Sequence, residues 1–155
     1  MTDNRTFLRI LFDAGVAAAS PAACMPLWLE DRPAGNVIVV GAGKAAASMA
    51  AIVEQQWAAP LRGLVIVPDG HTAECDQIEV VEASHPIPDE RGVAATRRIL
   101  DMVSDLASDD TVVCLLLPTD AFAAVATCIN NLGPGLGEVA YTFQSVSDFG
   151  KGLSV

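Results

Sequence analysis

Basic residues are scarce in this 155-residue chain. Nine Lys and Arg face nineteen Asp and Glu, giving a net charge of −10 and a pI near 4.3. Nucleic-acid backbones and anionic membranes are recognised by clustered Lys and Arg, so this balance argues against both as partners. Long apolar runs are missing as well, and no segment approaches the uninterrupted length that a membrane span needs. The N-terminal stretch has an acid before its first base and puts Asp13 inside its apolar part, which is not the pattern of a secretory leader. Paired cysteines are lacking too. Cys24, Cys75, Cys114 and Cys128 are scattered, with no Cys-x-x-Cys and no Cys/His pairing, and they read as reduced thiols of a cytoplasmic protein without a metal site. What is abundant is apolar: 52% of residues are hydrophobic, enough for one domain with a real core and too many for a disordered chain. An anionic small molecule stays open as a ligand, because one local cation and oriented N–H groups outweigh a repulsive global field at short range.

Along the chain, apolar runs alternate with helical periodicity. Asp3 or a neighbour caps a first helix near 5–19, in which Phe7, Ile10, Leu11 and Ala14 recur at helical spacing and are expected to form a buried face. Ser20-Pro21 ends it, and a Pro-rich loop carrying Trp28 follows. Residues 37–40, 64–67, 78–82 and 111–117 read as strands, the first, second and fourth apolar throughout. Helices are expected at 44–57, with Ala46, Met49, Ala50, Val53 and Trp57 on one stripe, and at 89–107, lined by Val93, Ile99, Leu100, Val103 and Leu106. This alternation predicts an α/β fold, a doubly wound and mainly parallel sheet.

The character changes after Leu117. Residues 118–155 hold four charged side chains, Asp120, Glu138, Asp148 and Lys151, against twenty-four before them. A helix over 120–129 is consistent with the local Ala content, and the rest of the tail has no assignable element. The expected organisation is therefore an N-terminal α/β domain over 1–117 and an atypical, poorly packed tail over 118–155.

Two motifs carry candidate chemistry. In "NVIVVGAGKAAASMA" an apolar strand runs into Gly41-Ala42-Gly43-Lys44 and then into small residues, an arrangement that exposes N–H groups at a helix start and suits an anion. The spacing excludes a Walker A loop, since Ile38 stands where its first glycine would be and Ala45 where its Ser or Thr would follow the Lys. It does satisfy Gly-x-Gly-x-x-Ala, as Gly41, Gly43 and Ala46, so a nicotinamide dinucleotide is one alternative, with Asp69 as a late candidate for the acid that binds ribose. The other alternative rests on Lys44, a long cation placed to neutralise phosphoryl oxygens. A cation at a helix N-terminus is disfavoured by about 0.3–1 kcal/mol, which weighs toward function and against a merely solvated side chain. In "ASHPIPDERG", His85 lies at a strand's carboxyl end, where open α/β sheets bind ligands. It can carry a proton or donate to a carboxylate, or it can be a structural loop histidine. Asp89 caps the following helix or meets substrate beside His85. His71, after the neighbouring strand, can converge on the same place.

Taken in order, "LRILFDAGVAAASP", "VIVVGAGKAAASMA", "GLVIVPDGH" and "IEVVEASHPIPDERGVAATRRIL" resemble the N-terminal part of the glycerate 2-kinase family, whose members, associated with tartrate degradation, have also been named hydroxypyruvate reductases. The likeness covers about Phe7 to Cys114. It implies ATP- and Mg²⁺-dependent phosphorylation of D-glycerate to 2-phosphoglycerate, or, under the older name, NAD(P)H reduction of hydroxypyruvate. It places the catalytic lysine on Lys44, the cofactor's phosphates over Gly41, Ala42 and Gly43, and the small anionic substrate near His85 and Asp89. The chain departs from the family where Leu117-Pro118-Thr119-Asp120 stands in place of a Ser-Gly-Gly-Gly-Ser-type loop, and it lacks the length of the family's second domain. The expectation is a truncated or frame-shifted member that is inactive as an isolated chain, a folded remnant being the non-catalytic alternative.

Overall fold

The computed structural model describes residues 3–29 and 31–116 in full and residues 139–143 as backbone. Five strands form one sheet: β1 (Val37–Ala42), β2 (Arg62–Pro68), β3 (Ile78–Ala83), β4 (Thr111–Leu116) and β5 (Val139–Phe143). Their order is β3-β2-β1-β4-β5, and every neighbouring pair is parallel. β1 is central and buried along its whole length, as a strand covered on both faces must be. Its side chains alternate between two cores. Val37 and Val39 join Met49, Ala50, Val53 and Trp57 on one face, while Ile38 and Val40 join Ala95, Ile99 and Val103 on the other. Burying each such aliphatic side chain contributes about 1.5–3 kcal/mol.

The first core is roofed by α3 (Ala46–Gln56), whose stripe of Ala46, Met49, Ala50, Val53 and the following Trp57 is buried as its periodicity predicts. The helix begins two residues later than expected, because Lys44 and Ala45 form the turn that enters it. The second core is roofed by α4 (Glu90–Met102), capped by Asp89, whose side chain accepts from Gly92 N–H. Ile99 and Val103 are buried there and Leu106 packs at the margin, whereas Val93 is 48% exposed. α3 and α4 thus cover opposite faces, and the order of the strands reverses beside β1, between β1 and β4. In open α/β sheets such a reversal marks, at the carboxyl ends of the strands, the place where ligands are taken.

One helix departs from expectation. α1 (Asn4–Ala18) forms where predicted, with Asp3 as its N-cap accepting from Arg5 N–H at 3.0 Å, but none of its residues is buried. Phe7 is 53% and Phe12 68% exposed, and Ile10 and Leu11 are exposed too. Periodicity reports that a helix has an apolar side; it does not supply a surface to bury that side, and the main neighbour of α1 is only the short α2 (Pro21–Cys24). Among the described residues no single helix is long and apolar enough to cross a membrane, although the bent pair Asn4–Ala18 and Pro21–Leu27 together reach that length and composition. β5 lies in the tail for which the sequence provides no assignable element, while the expected helix over 120–129 falls outside the described residues.

Candidate functional site

Three segments leave the carboxyl edge of the sheet side by side. β1 runs into Gly43-Lys44, β2 into Asp69-Gly70-His71, and β3 into Ser84-His85-Pro86. The register pairs Ala42 with Ile66 and Pro68 with Ala83, so Lys44, His71 and His85 emerge across a width of about 10 Å, two interstrand spacings.

The β1 turn is built by backbone. Gly41 is the penultimate residue of β1 and lies against β4, where a Cβ would come within 2.5 Å of Leu115 carbonyl oxygen. Gly43 has φ of +122°, a conformation that favours glycine. Its N–H donates to Ile66 carbonyl oxygen at 2.9 Å, and its own carbonyl accepts from Ala46 N–H at 3.0 Å. Gly41, Ala42 and Gly43 are therefore buried in the turn itself. The N–H groups of Lys44, Ala45, Ala47 and Ser48 donate to no described residue, which leaves them as the donors at the head of α3. Lys44 is exposed, and its side chain makes no hydrogen bond or ion pair with any described residue. An unpaired cation beside unpaired N–H groups is a place for an anion.

The other two segments are held by side chains. Arg91, in the first turn of α4, reaches across to the β2 turn and donates to both oxygens of Asp69, Nη1 to Oδ1 at 2.7 Å and Nη2 to Oδ2 at 2.9 Å. Its Nε donates to Asp89 Oδ2 at 2.7 Å, while Asp89 Oδ1 caps α4. The Arg91 hydrogen bonds hold both carboxyls below their ordinary range, and the two carboxylates in turn raise the Arg91 pKa above its own. Gly70 N–H donates to Glu82 at 2.6 Å, and the ring of His71 lies 3.2 Å from Asp69 carbonyl oxygen through Nδ1. His85 is exposed. The structure thus brings Lys44, His71 and His85 to one edge, and it engages both oxygens of Asp89 in structural bonds. Asp69, the acid a dinucleotide would need for its ribose, is occupied by the Arg91 fork.

Two anchors escape the sequence reading. One is the Arg91 fork, which joins residues far apart in the chain. The other is Glu54 on α3, whose carboxylate accepts from the N–H groups of Asp76, Gln77 and Ile78 at 2.6–2.8 Å and so fixes the start of β3. The cysteines among the described residues contribute nothing at this edge. Among the described residues Cys24, Cys75 and Cys114 are free; burial, with Glu54 and Asp76 nearby, pushes the Cys75 thiol up to about 11, and burial takes Cys114 to about 12.

Against this geometry stand the likenesses to known proteins. A putative hydroxypyruvate reductase of Agrobacterium vitis is 45% identical over 113 residues, covering 72% of this chain and 26% of the relative. The D-glycerate 2-kinase of Thermotoga maritima is 42% identical over 83 residues, 52% of this chain and 20% of the relative. A crystal structure of glycerate kinase from the same organism superposes with a TM-score of 0.58 at 30% identity, covering 83% of this chain and 28% of that one. A match of another kind is a 70-residue stretch 44% identical to the Trk system potassium uptake protein of Vibrio parahaemolyticus, covering 39% of this chain and 14% of that protein. The chain spans about a quarter of the length of the Agrobacterium vitis relative. Residues 7–118 match the family described as domain of unknown function DUF4147, and the chain belongs to that family, whose relatives bear the names hydroxypyruvate reductase and glycerate 2-kinase.

Proposed function

We propose that residues 3–116 are the phosphate-binding part of a glycerate 2-kinase-type fold, which in its whole form transfers the γ-phosphoryl group of ATP to the 2-hydroxyl of D-glycerate in the cytoplasm. The observation that supports this most is Lys44, exposed and without a partner among the described residues, beside N–H groups at the head of α3 that donate to none of them either. Phosphoryl transfer asks a protein mainly for positioning and for neutralisation of charge on the transferred oxygens. In this reading the substrate hydroxyl oxygen bonds to the γ-phosphorus as the bond to the β,γ-bridging oxygen breaks, the hydroxyl proton is released, and ADP leaves. The Lys44 ammonium and the N–H groups of α3 take up charge on the phosphoryl oxygens. The Gly41–Gly43 turn brings the backbone close, and His85 donates to the carboxylate of glycerate. Asp89 acts through the loop it holds.

The resemblance also implies Mg²⁺. Among the described residues no group of three His, Cys, Asp or Glu side chains is placed to hold a metal ion, and an Mg²⁺ that arrives with a nucleotide asks only one or two carboxylates of the protein. The reductase alternative is the weaker one here, because Asp69 is already bonded by Arg91.

One cation and one set of N–H groups are part of what transfer needs, and a closed, water-excluding site is the rest. Residues 1–155 alone are therefore expected to form no 2-phosphoglycerate above a Lys44→Met control. In a family protein that carries residues 3–116 within the full-length fold, Lys44→Met is expected to lower D-glycerate phosphorylation by roughly 10²–10³-fold while circular dichroism stays unchanged. Near-normal turnover of that variant would overturn the reading. Hydroxypyruvate-dependent NADH oxidation without ATP would replace it with the reductase.

A further inference from the structure

At the carboxyl edge of the sheet, the β2 turn and the β3–α4 loop begin just past the last registered pair of their strands, Pro68 with Ala83. What spans them is Arg91. Its fork takes both oxygens of Asp69 at 2.7 and 2.9 Å, and its Nε takes Asp89 at 2.7 Å. Each carboxylate is tied in turn to its own segment. Asp89 Oδ1 holds Gly92 N–H at the head of α4, and Asp69 lies two residues before His71, whose ring meets Asp69 carbonyl oxygen. Gly70 N–H adds a second tie, to Glu82 on β3. The planar guanidinium presents these donors in one rigid plane, which a lysine cannot imitate.

We propose that Arg91 is a positioning residue that couples the two histidine-bearing segments, setting the place of His85 through its grip on Asp69. The importance of that coupling for catalysis rests on His85 meeting substrate, as proposed above; the coupling itself does not. A purely local role for the Arg91–Asp69 pair would stiffen residues 69–71 and leave the far segment alone. Coupling makes a distinct demand: breaking the pair from the Asp69 side must be felt at His85, on the other loop.

The chain has two histidines, so two imidazole Hε1 signals report the two segments separately. The test is run on residues 1–155 without ligand, so its outcome is independent of which substrate the protein takes. Asp69→Asn removes one arm of the bridge and leaves the Asp89 cap in place. The expected result is a moved or broadened His85 signal together with amide exchange in residues 84–88 faster by roughly two- to fivefold, the size of a half-exposed pair. Arg91→Lys, which keeps the charge and loses the fork, is expected to do the same, and it carries the test if Asp69→Asn fails to fold. An unchanged His85 signal and unchanged exchange at 84–88 in a folded variant, with exchange raised only at 69–71, would overturn the proposal. Failure of the chain to respond to phosphate at Lys44 would bear on the functional reading alone.

Discussion

The turn after β1 and the loop after β3 leave the same edge of the same sheet, yet they are held by opposite means. The first is fixed by backbone: a glycine packed against β4, another at positive φ, and two main-chain hydrogen bonds. Its one charged side chain, Lys44, has no described partner. The second is fixed by ion pairs, with Arg91 bonded to Asp69 and Asp89 and little apolar cover over Ile87. Under the proposed function the difference separates two jobs. A phosphate cradle must keep its cation and N–H groups unpaired until the ligand arrives, so its shape has to come from sterics. A segment that only presents a side chain can be held by charges, at the cost of sensitivity to salt and pH.

This contrast predicts where substitutions hurt. Gly41→Ala puts a methyl group 2.5 Å from a backbone carbonyl that cannot swing aside, and should lower unfolding free energy by about 3 kcal/mol in urea titrations. Stability within a few tenths of wild type would mean that β4 yields, and that the turn is less rigid than described. Glu54→Ala leaves the N–H groups of Asp76, Gln77 and Ile78 without their acceptor, and is expected to cost about 1–3 kcal/mol. Lys44→Met should change stability by less than about 0.5 kcal/mol, since no described contact is lost.

The loop after β3 should respond to conditions instead. Arg91 holds Asp69 and Asp89 below their ordinary value of 3.8. Groups whose folded pKa is depressed contribute stability above the unfolded pKa and lose it as the pH falls through the folded one. The urea midpoint of the wild type is therefore expected to decline below about pH 4, and the double variant Asp69→Asn, Asp89→Asn should show a shallower decline there. Raising salt at neutral pH should speed amide exchange at 84–88 and leave 43–48 unaffected. Equal salt sensitivity of both segments would erase the distinction.

Much of the fold was legible because burial on both faces leaves unbroken apolar runs. Residues 37–40 and 111–116 needed no partner to be recognised as strands, and every residue expected on the α3 stripe is buried, with Ala47 as an addition the periodicity did not include. The same reading failed for α1, since Phe7, Ile10 and Leu11 show only that an apolar side exists. The Gly43-Lys44 turn was legible through glycine and a cation that would otherwise be misplaced. The Arg91 fork was not, because Asp69 and Arg91 lie 22 residues apart and Asp89-Glu90-Arg91 reads equally well as an ordinary helix start. Glu54 was silent for the same reason: an acid on a helix face reveals nothing about a strand that begins 24 residues later.

The central claim is that the head of α3, with Lys44, takes a phosphate. It is tested most directly by titrating inorganic phosphate into ¹⁵N-labelled residues 1–155 and into its Lys44→Met variant. The account predicts saturable shifts centred on the amides of Lys44, Ala45, Ala47 and Ser48, weakened severalfold in the variant while the remaining spectrum is preserved. Shifts absent from these amides, or equal in the two proteins, would contradict it.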